Sequence, residues 1–169
     1  TINAHYCGRR GEWPPYLRAT VDMMLAHGFP MILLWGPRLV QIYNDGYADI
    51  MQDKHPGGLG QATSECWPEV WHINGPIYHR VRMGETITYQ DKLYPLARPG
   101  GLEDTWFTIT YSPVRNSGGA VEGLAVAGVE AGVGQGGVVA GDVVGEGREQ
   151  AFQLLQAVGV LEGEFAGLL

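Results

Sequence analysis

Two cysteines, five histidines and scattered carboxylates are the obvious chemistry-bearing residues of this 169-residue chain. Cys7 and Cys66 lie far apart, without the C-x-x-C spacing of a zinc or redox site. His5 and Cys7 form an H-x-C pair suited to a soft metal. A four-coordinate site needs two more ligands, and none is near in sequence. Glu65, Glu69 and Asp91 are carboxylates of the kind that tune each other in acid–base catalysis. Their spacing does not bring them together, so a solvated helix face is expected. His72 and His79 are the candidate bases for a small α+β hydrolase or isomerase, but the sequence supplies neither with an orienting partner. The chain has no Gly-x-x-x-x-Gly-Lys loop and no Gly-x-Ser-x-Gly elbow. The aromatics Trp67, Trp71, Tyr78, Tyr89 and Trp106 offer large apolar area with polar tips, suited to lining a pocket or to filling a core.

These residues sit on elements that the pattern makes legible. Residues 1–13 are polar and aperiodic and read as an arm. Pro14-Pro15 opens a helix with Leu17, Val21, Met24 and Leu25 on one face, stopped near Gly28. Phe29 to Trp35 and Arg38 to Tyr43, parted by Gly36-Pro37, read as a β-hairpin. Asn44-Asp45 caps a short helix carrying Tyr47, Ile50 and Met51, and Ser64 caps a turn broken by Pro68. A longer helix is expected from about Gly75-Pro76 to Met83, closed by Gly84. The period then changes to two. Ile87, Tyr89 and Leu93 mark one strand, Phe107, Ile109 and Tyr111 a second, and Val121 to Val129 a third, with turns at Pro99-Gly100-Gly101 and Asn116-Ser117-Gly118-Gly119. Phe107, Ile109 and Tyr111 are expected to face the helices, with Trp106, Thr108 and Thr110 on the other side.

The expected organisation is an arm (1–13), one domain (14–130), a Gly-rich linker (131–147) and a C-terminal helix (148–169). In that helix Leu154, Val158, Leu161 and Phe165 form a narrow seam suited to a partner helix. The net charge of −7 and the scattered Lys and Arg leave no basic face for nucleic acid. The absence of a long apolar run argues against membrane insertion of this segment, and the low cysteine content and lack of a signal pattern argue for a cytoplasmic setting.

The stretch from Trp35 to Tyr47, Trp-Gly-Pro-Arg-Leu-Val-Gln-Ile-Tyr-Asn-Asp-Gly-Tyr, resembles the first hairpin and following helix of Per-ARNT-Sim (PAS) domains in bacterial sensor histidine kinases. So do Lys54-His55-Pro56, Leu59-Gly60-Gln61, Cys66 to Trp71, Gly75-Pro76-Ile77 and Trp106 to Arg115. The resemblance covers about Pro14 to Val129. It implies an α+β fold, a five-stranded antiparallel sheet with short helices on one face, plus the N-terminal helix. It implies a cytoplasmic signalling input domain rather than an enzyme, often a homodimer, set before an output module such as a histidine kinase. One departure is that Val129-Glu130-Ala131 replaces the Asp-Ile-Thr-like triplet that ends the last strand of many PAS domains.

Three functions follow as alternatives: a domain that binds a small ligand and dimerises, a ligand-free interaction module, and the hydrolase or isomerase above. A small apolar or aromatic molecule is the expected ligand. It should lie between the central helices and the sheet, against Tyr47, Trp71, Ile77, Val81, Tyr89 and Phe107, with His79 and the tyrosine hydroxyls orienting it. Haem-binding PAS domains carry a histidine on the long helix, where His79 falls, yet Arg80 and Arg82 flank it. Flavin-binding members carry Asn-Cys-Arg-Phe-Leu-Gln around a reactive cysteine, and the neighbours of Cys66 do not match. Haem and flavin are therefore not expected. The apolar stripe of the N-terminal helix, with the outer sheet face, is the expected dimer contact.

Overall fold

The computed structural model describes residues 10–134. A single turn of 3-10 helix, Arg10–Glu12, leads into α1 (Pro15–Ala26), with Pro15 at its first turn, where no backbone donor is needed. The hairpin of β1 (Met31–Trp35) and β2 (Val40–Tyr43) follows. Its second strand starts two residues later than the sequence pattern implied, because Gly36 to Leu39 forms the turn and Leu39 takes φ 51°. Then come α2 (Asp45–Met51), α3 (Thr63–Cys66) and α4 (Trp71–Arg82), with 3-10 turns at Gln52–Lys54 and Pro68–Val70. Three long strands close the fold: β3 (Ile87–Arg98), β4 (Gly101–Arg115) and β5 (Val121–Gly134). All neighbours pair antiparallel in the order β2-β1-β5-β4-β3.

β1 explains the layering. Its run Met-Ile-Leu-Leu is buried throughout, which is how a strand covered on both faces reads. Ile32 and Leu34 join the inner core beneath the helices, while Met31 and Leu33 join a second core on the outer face. That outer core is closed by α1, whose Leu17, Val21 and Met24 pack against Met31, Leu33, Ile42 and Val114. The stripe expected to reach a second molecule is thus spent within the chain, and Leu25 lies off it at 53% exposure.

Asn44 joins the two layers. Its side-chain oxygen caps α2 by accepting from the Tyr47 amide at 3.0 Å and also accepts from Met31 N–H at 2.9 Å. Its amide nitrogen donates to the carbonyls of Met24, His27 and Phe29, at 3.2, 3.2 and 2.8 Å. One buried side chain therefore fixes the end of α1, the start of β1 and the start of α2 together.

Three further features differ from the sequence reading. α4 begins at Trp71 rather than near Gly75, with Pro76 inside it. Pro76 and His72, the residue whose carbonyl would lose its intrahelical partner, are both exposed, so water can take the missing donor's place. β5 runs on to Gly134, pairing Trp106 with Gly132 and Asp104 with Gly134, four residues into the stretch read as linker. The third difference is a bulge in β3 between Tyr89 and Lys92, where Asp91 takes φ 49°. It inverts the alternation, so Leu93 points outward at 42% exposure while Tyr94 and Leu96 turn into the core. The rest of the linker, the C-terminal helix and residues 1–9, with His5 and Cys7, lie outside the described residues.

Candidate functional site

The inner face of the sheet and the helices above it do not close completely. A cavity of about 50 Å3 remains between them. Its floor is Ile32 of β1, Phe107, Ile109 and Tyr111 of β4, and Val126 and Gly128 of β5. The strand register expected for β4 is the one observed, with Phe107, Ile109 and Tyr111 inward. Tyr94 and Leu96 form the side wall, and Tyr47, Ile50, Trp67, Val70, Asn74 and Tyr78 the roof.

The polar groups on this surface are few and mostly engaged with one another. The Tyr94 and Tyr111 hydroxyls meet at 2.6 Å, and Tyr111 donates to the Asn74 side-chain oxygen at 3.3 Å. Edge-on ring contacts link Tyr78 with Tyr111 at 6.0 Å and Tyr94 with Phe107 at 5.9 Å. Burial pushes the Tyr94 phenol up to about 12 and those of Tyr47, Tyr78 and Tyr111 well above their ordinary value. All four are neutral near pH 7, so none is a base. Among the described residues lining the cavity none carries a charge.

A polar brace holds the roof against β3. Lys54 donates to the Cys66 carbonyl at 2.7 Å and pairs with Glu69 at 2.9 Å, and Glu69 accepts the Ala97 backbone N–H at 3.0 Å. The same ammonium lies 4.4 Å over the Trp67 ring. Burial acts to raise the Glu69 carboxyl, but Lys54 and the backbone amides of Glu69 and Ala97 outweigh it and hold it below the usual carboxylate range. Arg98 adds a second tie, donating to the Ile50 carbonyl at 2.8 Å and to Glu130 at 3.1 Å.

Of the residues singled out from sequence, Tyr47 and Phe107 line the cavity, as do Trp67 and Tyr78 of the wider aromatic set. Ile77 and Val81 are buried in the inner core beside it without forming its wall, and Tyr89 is packed edge-on to Tyr111 at 6.4 Å. Trp71 is 37% exposed, its ring against Tyr78 and Gly75. Starting α4 at Trp71 rotates it away from the sheet. His79 and His72 are exposed on the same helix, so neither can orient a bound molecule or ligate a haem in the cavity. Glu65 pairs with Arg38 at 2.8 Å and Glu69 with Lys54, so the carboxylates do not form a catalytic pair. No group of three potential metal ligands occurs among the described residues.

Tyr94, Leu96 and Asn74 were missed as wall residues. For the first two a signal existed: Gln90-Asp91-Lys92 interrupts the alternation, and Asp tolerates the left-handed conformation of a bulge better than most residues. Asn74 carried none, because its inward position depends on where α4 starts.

No family model matches the sequence, and neither does any curated protein. Solved structures do. A variant of the RsLOV protein superposes with a TM-score of 0.56 at 16% identity, over 89% of this chain and 81% of its own. The Rhodobacter sphaeroides LOV protein gives 0.54 at 12% identity, over 88% and 97%. The fold is the PAS fold. A phage VqmA protein in complex with DPO matches at a TM-score of 0.52 and 18% identity, over 86% of this chain and 59% of its own. At these identities the likeness is one of architecture. The Cys66 thiol lies beside Gly58, off the cavity wall, so it is not placed to react with a guest held there.

Proposed function

We propose that this PAS-fold chain is a sensory input domain that takes a small uncharged molecule into the cavity between α2–α4 and the sheet, and pairs with a second copy to regulate an output module such as a histidine kinase. The observation that carries the reading is the cavity itself: an aromatic space between the helices and the sheet whose described lining carries no charge. A charged guest would lose its hydration there without a counter-charge, so the ligand is neutral. The hydrolase or isomerase reading has no geometry behind it, since both α4 histidines point to solvent. No helix among the described residues is long and apolar enough to cross a membrane.

A second reading, the ligand-free interaction module, is favoured by the cavity's size. About 50 Å3 is a third of the roughly 150 Å3 in which an engineered cavity binds benzene, so a ligand must open the space further. Native mass spectrometry of the purified chain, with its absorption spectrum, separates the two. Retention of a small neutral mass by the folded chain, lost on denaturation, supports the sensor. A bare dimer that takes up no small molecule supports the interaction module.

A further inference from the structure

We infer that the ligand is a flat neutral ring bearing a hydrogen-bond acceptor, a ring nitrogen or a carbonyl, received by the indole N–H of Trp67. The inference rests on the ligand-binding reading above and specifies its chemistry. Trp67 is only 6% exposed, it lines the cavity roof, and its Nε1–H is buried with no hydrogen-bond partner among the described residues. A buried donor left unmade costs on the order of 1–3 kcal/mol, and native proteins satisfy nearly all of them.

Three of the polar groups that share the lining are already engaged. The hydroxyls of Tyr94 and Tyr111 and the Asn74 carbonyl are used on one another. Nor is the indole free to swing toward another partner. Lys54 lies over one face of its ring and is itself fixed by Glu69 and the Cys66 carbonyl. The donor is therefore held in place before any guest arrives, and what completes it must bring an acceptor. The walls fix the guest's shape: Phe107, Tyr78 and Tyr111 present rings, which favour a planar aromatic partner over a branched aliphatic one.

Pyridine and benzene test this as a matched pair of equal shape, with and without an acceptor. The readouts are the five indole N–H signals in a proton–nitrogen spectrum of the chain and the methyl signals of Ile32, Ile50 and Ile109, which line the cavity. Trp67→Phe assigns the indole signal. The expected result is that both probes move the isoleucine methyls, while pyridine alone moves the Trp67 N–H proton downfield. In Trp67→Phe, pyridine affinity should then fall by about tenfold and benzene affinity should hold within about twofold, the loss of one buried hydrogen bond. If pyridine moves the methyls as benzene does and leaves the Trp67 N–H unshifted, the acceptor requirement is overturned and the cavity reading stands. If neither probe moves the methyls, the cavity reading falls as well.

Discussion

At the scale of single residues, buried polar side chains hold separate segments together, and each gives a measurable expectation. Asn44 serves five backbone groups from three segments. Asn44→Ala removes a helix cap and strands several buried groups, so it should cost about 3 kcal/mol in denaturant unfolding, well beyond a cap alone at about 1 kcal/mol. Glu69 gives a pH signature. Its carboxyl is held below the ordinary carboxylate value, so the folded state favours the ionised form. That stability is fully present above the unfolded value, about 4.3, and is lost as pH falls through the folded value. Stability should therefore drop on acidification below about pH 5. In Glu69→Gln that part of the drop should be absent, as measured by chemical denaturation across the range.

At the scale of elements, the bulge in β3 decides which side chains reach the cavity. Inserting one residue between Lys92 and Leu93 would shift the alternation beyond the bulge by one, turning Leu93 and Pro95 inward and expelling Tyr94 with its hydroxyl contact to Tyr111. The expected cost is more than about 4 kcal/mol, visible as a large fall in the denaturant midpoint. A chain that tolerated the insertion would show that the inward register of Tyr94 is dispensable. The same element marks how far sequence could reach. β1, β4 and α2 were legible because their apolar period, turn residues and cap all agree. The inward register of Phe107, Ile109 and Tyr111 followed from alternation alone. Tyr94, Leu96 and Asn74 did not, because a one-residue bulge and a helix start fixed by tertiary contacts each rotate everything after them. Trp71 and His79 went astray for the latter reason: Pro76 looked like a helix start and lies inside the helix.

At the scale of the molecule, the sheet is a central layer between two unequal cores. The outer one depends on α1, so Val21→Asp buries an unpaired carboxylate there and should destabilise the fold by about 4 kcal/mol or more, read by thermal or denaturant unfolding. With its stripe buried, α1 offers a second copy only its other face, where Met23 and Leu25 are exposed. Leu25→Glu should therefore leave stability within about 0.5 kcal/mol, as surface changes do, while weakening any self-association that uses α1, as measured by sedimentation. An unchanged association constant would move the pairing surface elsewhere.

The unequal bonding of the strands also sets how the interior is reached. β5 is zipped to β1 on one side and β4 on the other, whereas β3 has a backbone ladder to β4 alone, with side-chain ties from Glu69 to its Ala97 amide and from its Arg98 to Ile50 and Glu130. Local opening takes the path with the fewest bonds to break. Backbone amides of β5 should accordingly exchange with deuterium only through near-global unfolding, and the Ala97 amide, whose partner is a side chain, much sooner. Lifting that edge exposes Tyr94 and Leu96 without disturbing the floor. In the ligand-binding reading the wall that opens first would be the doorway, and the time a guest stays inside would be set by how often the Ala97 to Glu69 latch lets go.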